Sequence, residues 1–278
     1  MNRIFSKLAG AFTLGFLCAA AAPLQATEAD LTLSDFSGNA TINSAKFLQM
    51  NAAATGTGLI DSFVQIGGNQ SIVDAYNTTV NNVLFNGSSD QFNHALAISS
   101  VPAVVVGGVT YREFNLDINQ TGDNPKITLD DVQVYLTNDK NQSTDTPSGT
   151  LIYRMDDTVN STILLDFSLN NGSGSGDMTM LVPNDLFVGG FTDVVLYSHF
   201  GADTFGGTNY GNNDGFEEWF VCQNKSTKEP QACTGSTSGT NVSGSLSQSV
   251  PEPTSMLLLG MGLVLGARRL SKRGKDKD

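Results

Sequence analysis

The stretch AVVVGGVTYREFNLDI, residues 103 to 118, constrains the fold of this chain more than any other. Two strand-like runs flank Gly107-Gly108, and paired glycines can take the positive φ angles that a two-residue hairpin turn demands. Further on, Val132, Val134 and Leu136 alternate with Gln133, Tyr135 and Thr137. That period of two lines one face of a half-buried sheet. Comparable runs predict strands over 58–66, 151–155, 162–169, 177–182, 194–200 and 216–221. Helix-period patterns are nearly absent and no internal repeat is evident, which argues against a propeller or a solenoid. About nine or ten short strands separated by Gly, Asn and Asp predict an all-β fold, a single β-sandwich or jelly-roll domain.

The Gly-rich stretch from Leu169 to Met178 joins two of these strands. No Lys and no helix start follow it, as a phosphate-binding loop would require. Ser175 stands where the calcium-binding nonapeptide has a Gly, so the stretch reads as a tight or bulged hairpin loop.

Both ends fall outside this domain. Residues 1–26 combine Arg3 and Lys7, an apolar stretch from Leu8 to Ala22 and the small-residue site Leu24-Gln25-Ala26, the layout of a secretory signal peptide. Residues 27–233 make up the expected ectodomain, and the Ser/Gly/Thr-rich segment 234–249 lacks the apolar content to fold and reads as a flexible linker. Between Thr27 and Val250 seven basic residues face 24 acidic ones, so the exported body carries about −17 against −12 for the whole chain. A surface of that sign repels phosphate backbones and excludes nucleic acid as a partner. Only Cys222 and Cys233 remain after processing, and export is oxidising. The polar intervening loop QNKSTKEPQA can turn back at Pro230, so a disulfide is expected, worth about 2–3 kcal/mol on a loop-entropy argument.

The C-terminal segment 250–278 has three parts in order: Val250-Pro251-Glu252-Pro253, a Gly-interrupted apolar run from Met256 to Ala267, and a basic cluster that starts with Arg268 and Arg269. As a helix the apolar run spans about 18 Å, short of a hydrocarbon core of about 30 Å. The basic cluster would hold the end in the cytoplasm while the body is exported. This arrangement resembles the PEP-CTERM sorting signal of bacterial exported proteins. The resemblance implies cleavage near the triplet by the membrane enzyme exosortase, transient anchoring in the inner membrane, and a final place at the cell surface or outside the cell. The prolines suit such a cut because they forbid helix and leave the segment extended. An uncut weak anchor is the alternative. IDSFVQI (Ile60–Ile66), YREFNLDIN (111–119), SGSGDM (173–178) and NDGFEEW (213–219) also look similar to ectodomains of PEP-CTERM proteins, a likeness that implies no activity.

No catalytic machinery is expected. The chain has two histidines, His94 and His199, and lacks a G-x-S-x-G elbow. Glu217 and Glu218, adjacent on a strand, point to opposite faces and cannot flank one glycosidic bond. Trp219, the only Trp and one flanked by Phe216 and Phe220, reads as core rather than as a sugar platform. Calcium is the candidate cofactor: Asp117, Asn119 and Asp123 place oxygen side chains ahead of and after the Gly122 turn, although Thr128 replaces the bidentate Glu of an EF-hand. The acidic stretch 214–217 is a second candidate, and a solvated turn with Asx hydrogen bonds is the competing reading. These features together suggest a structural or adhesive component, with extracellular polysaccharide as the candidate partner. A carbohydrate-binding module and a secreted hydrolase are the alternatives.

Overall fold

A computed structural model describes residues 26–51, 59–87, 90–157, 159–170 and 174–233. The expected signal peptide, linker and sorting segment therefore lie outside the described residues, apart from Ala26. In chain order the strands are β1 (Thr27–Asp30), β2 (Asn39–Ile42), β3 (Ala45–Gln49), β4 (Ile60–Ile66), β5 (Val73–Tyr76) and β6 (Leu96–Ala97). Then come β7 (Ala103–Val106), β8 (Val109–Asp117), β9 (Lys126–Thr137), β10 (Thr150–Arg154) and β11 (Ser161–Asp166). The series ends with β12 (Met178–Pro183), β13 (Asp193–Phe200), β14 (Thr204–Phe205), β15 (Thr208–Asn209) and β16 (Glu217–Cys222).

Two seven-stranded sheets face each other. Sheet A runs β1-β11-β9-β13-β5, with β10 also on β9 and β6 on β13; sheet B runs β2-β3-β12-β8-β16-β4, with β7 also on β8. A small hairpin, β14-β15, completes the set. The all-β sandwich expected from the sequence is thus the fold, with more strands than the nine or ten anticipated. The additional ones, such as NATI in β2 and TF in β14, are two to five residues long. Their identity as strands comes from the neighbour they bond to, because so few residues display no period.

Alternation along β9 fills the interior as its pattern requires: Val132, Val134 and Leu136 are buried in the main core, while Gln133 and Tyr135 are only half-buried on the other face. Phe47, Phe63, Phe114, Leu116, Met180 and Trp219 meet them from sheet B. Trp219 is fully buried, and its indole N–H donates to the Ser198 hydroxyl at 2.9 Å, a polar tie from β16 in one sheet to β13 in the other. The β7–β8 hairpin turns at Gly107 (φ 60°) and Gly108 (φ 82°), as the sequence predicts.

The Gly-rich loop is a correction. It is not a hairpin, because β11 pairs with β1 and β9 in sheet A whereas β12 pairs with β3 and β8 in sheet B. The chain crosses between the layers there. The described end of the loop is fastened from below: Asn170 Nδ2 donates to the carbonyls of Met50 (2.8 Å) and Gly176 (3.0 Å). Gly176 adopts φ +57°, and a Cβ there would lie 2.6 Å from Met50 Sδ, so only glycine fits this close approach without displacement.

Candidate functional site

The outer face of sheet B collects several of the buried acids of the body. Alternation in β8 sends Phe114 and Leu116 inward and leaves Glu113, Asn115 and Asp117 on the opposite face. That face would be wet in an isolated sheet, yet Glu113, Asn115 and Asp117 are all buried. At one end the cover is the segment after β16. Cys222 and Cys233 form a disulfide with Cα atoms 5.2 Å apart. The Cys233 backbone N–H donates to Glu113 Oε1 at 2.7 Å, and Asn115 Nδ2 donates to the same oxygen at 3.2 Å. Asn115 is held in turn by the Thr179 hydroxyl, which donates to its Oδ1 at 2.8 Å. Met50, Phe220 and the two cysteine sulfurs form a small apolar cluster under this flap. Burial pushes Glu113 up to about 7, against the opposing pull of the Cys233 N–H and Asn115. The last described residue of the body is thus fixed to β16 by a covalent bond and to β8 by a hydrogen bond.

At the other end of β8 four carboxylates gather. Asp117 lies directly opposite Glu218 of β16 in the register. Gly174 N–H donates to Asp117 Oδ2, and Ile118 N–H donates to Asp177 Oδ2 at 2.8 Å. Glu217, fully buried, accepts from Asn119 N–H (2.9 Å) and Gln120 Nε2 (2.7 Å). Burial raises Asp117 to about 7 and lifts Asp177 and Glu217 well above the usual carboxylate range; Asp117 adds repulsion to both.

Of the calcium candidates read from the sequence, Asp117 belongs to this group, and Asn119 joins it through its backbone and the close approach of its amide to Gly215. Asp123 stands exposed in the turn that Asn124 N–H closes on the Thr121 carbonyl at 3.1 Å. Among the described residues no three His, Cys, Asp or Glu side chains converge as a ready-made metal cage. Asp177, which sequence reading passed over, is the new member. Its signal was position: an acid that immediately precedes the apolar run MTMLV of β12, in register with the outward-facing side chains of that strand.

Sheet A carries a second polar surface. Asp131 shares one face of β9 with Gln133, whose Nε2 donates to Asp131 Oδ2 at 2.6 Å, and Arg154 approaches the same oxygen at 3.3 Å. His199 lies between Asp74 and Asp131 in the strand register. Tyr197 OH donates to Asp74 Oδ2 at 3.0 Å, and Tyr135 OH donates to Gln133. Nearby, a register shift between His199 and Phe200 marks a bulge at which Asp130 turns to the loop and accepts from Ala202 N–H at 2.6 Å. Burial and the neighbouring Asp203 push Asp130 to about 6. His94 is elsewhere, with Nε2 3.6 Å from Asp61 Oδ1, whose carboxylate raises its pKa against the opposing effect of burial.

Comparison with known proteins gives one match. Residues 249–273 fit the family model described as the PEP-CTERM protein-sorting motif, a span that includes Val250, Pro251, Glu252, Pro253, Arg268 and Arg269. No curated protein and no solved structure matches the chain. The disulfide-clamped sandwich therefore stands immediately upstream of a recognised address. The chain carries a PEP-CTERM protein-sorting motif and with it the marks of an exported protein, held transiently at the membrane and presented to exosortase for processing.

Proposed function

We propose that the body is a non-catalytic structural or adhesive component of the cell surface or extracellular polysaccharide matrix, put in place once exosortase removes the tail. The observation that carries this reading is the clamp at Cys233. A pull on the linker reaches the body at that residue, and the disulfide passes it straight to Cys222 at the end of β16 rather than through residues 223–232. Hydrogen bonds from Cys233 N–H to Glu113 and from Asn115 to Glu113 spread the same pull to β8, which lies beside β16 within the sheet. A domain so joined to its stalk resists being peeled from its end. The test is a strain that carries a Cys222→Ser, Cys233→Ser chain: export and cleavage should proceed, while the protein leaves the matrix more readily under shear or mild denaturant. Equal retention of the two forms, or turnover of a matrix polymer by the purified protein, would defeat the reading.

Polysaccharide binding is the second reading, and the outer face of sheet A favours it. Half-buried Tyr135 and Tyr197 sit on adjacent strands beside Gln133, Asp74, Asp131 and Arg154, so apolar ring faces are rimmed by hydrogen-bonding groups. Pull-down on the native matrix polysaccharide should weaken in Tyr135→Ala and Tyr197→Ala chains and stay unchanged in Val109→Ala, an exposed position on sheet B.

A further inference from the structure

A buried carboxylate oxygen without a partner is costly, and Asp117 and Asp177 each have one. The two residues are 4% and 5% exposed. Each spends Oδ2 on a backbone N–H, of Gly174 and of Ile118 respectively, while Oδ1 of each is buried with no hydrogen-bond partner. The Asp177 carboxylate reaches to the peptide that follows Asp117, so both orphaned oxygens belong to one corner at the end of β8. Among the described residues no basic side chain pairs with it. The ion pairs among the described residues are His94 with Asp61 and Arg154 with Asp131, both elsewhere. Glu217, whose two oxygens accept from Asn119 N–H and Gln120 Nε2, lines the same corner with both acceptors already engaged.

We propose that this corner binds a hard divalent cation, calcium in preference to magnesium, through Asp117 Oδ1 and Asp177 Oδ1, with water in the remaining positions. Oxygen donors alone point away from zinc or copper. A shell completed largely by water suits calcium, which accepts six to eight ligands in loose geometry, better than magnesium with its strict octahedron. The inference is independent of any adhesive role.

The test uses the exported protein purified after processing, with calcium chloride and magnesium chloride as probes at about pH 8. A dissociation constant on the order of 10⁻⁴–10⁻³ M is expected for an extracellular site of this kind. Calcium at about tenfold excess should raise the melting temperature by a few degrees and magnesium by less. Asp177→Asn keeps an acceptor for Ile118 N–H and should abolish the calcium-specific part of the shift, whereas Asp123→Ala should retain it. Equal shifts with the two cations overturn the proposal, as does a calcium-specific shift that survives Asp177→Asn or disappears in Asp123→Ala. If Asp177→Asn does not fold, terbium added to the unaltered protein decides the matter: Trp219, next in sequence to Glu218, should sensitise emission that calcium quenches by displacement. Absence of that emission would also overturn it.

Discussion

Replacement of Glu113 by glutamine should stabilise the protein, and by an amount that depends on pH. The Glu113 carboxyl is 2% exposed and is raised from 4.5 to about 7, mainly by burial. A folded-state pKa above the unfolded value means that the folded chain holds its proton longer. Stability from this group is therefore complete below about pH 4.5, falls as pH rises, and is fully lost above about pH 7. The shift of about 2.5 pH units corresponds to about 3 kcal/mol, with a slope of about 1.4 kcal/mol per pH unit between those limits. The amide that Glu113→Gln introduces cannot ionise, yet its oxygen can still accept from Cys233 N–H and Asn115. The variant should match the parent at about pH 4.5 and exceed it by up to about 3 kcal/mol at pH 8, a rise of about 6–12 °C in Tm for a body of this size. Other raised acids, Asp130 among them, add their own pH dependence, but the difference between the two chains isolates Glu113. Unfolding in denaturant from about pH 4.5 to 8, without reductant, measures it. A difference that stays flat with pH, or a variant less stable than the parent at pH 8, would refute the argument that burial of this charge is what the clamp overcomes.

Other consequences are as specific. Intact mass of the protein recovered outside the cell should end near Val250, and recovery of chains that retain Arg268 and Arg269 would contradict processing. Ser198→Ala leaves the Trp219 indole N–H without its acceptor in the core and should cost about 1–3 kcal/mol by calorimetry, with no change in secondary structure. Gly176→Ala forces a Cβ against Met50 at positive φ and should cost about 1–3 kcal/mol; a Met50→Ala background should recover the packing part but not the backbone part. Thiol titration of the folded, unreduced protein should find Cys222 and Cys233 blocked, and free thiols there would contradict the disulfide.

Strand identity was legible wherever a run was long enough to repeat itself. β8, β9 and β13 are eight or more residues long and each contains a strand-like run that the sequence displays, whereas β2 or β14 are defined only by the strand that accepts their hydrogen bonds. Trp219 could be assigned to the core because its neighbours are aromatic. What no local pattern disclosed was the second burial of the outer face of sheet B. In YREFNLD, period two correctly turns Phe114 and Leu116 inward and Glu113, Asn115 and Asp117 outward, a pattern that in isolation means solvent. Those three become buried because Cys233 and Gly174, some 120 and 57 residues away, close over them. Likewise the loop from Leu169 to Met178 carries every local mark of a turn, and nothing in its residues tells a turn within one sheet from a passage between two.

The place of β16 sets a timetable for export. It is the last strand of the body, yet it lies between β8 and β4, which leave the translocation channel much earlier. Until residues 217–222 emerge, β4 has no partner strand in sheet B, the Asn115–Asp117 end of β8 has a bare backbone edge, and Trp219 is missing from the centre of the sandwich. Such edges are the ordinary substrates of misassociation. Closure of sheet B and arrival of the sorting segment are separated by fewer than thirty residues of chain. The membrane halt thus follows closely on the last strand: each copy reaches the sorting step just as its sheet can close.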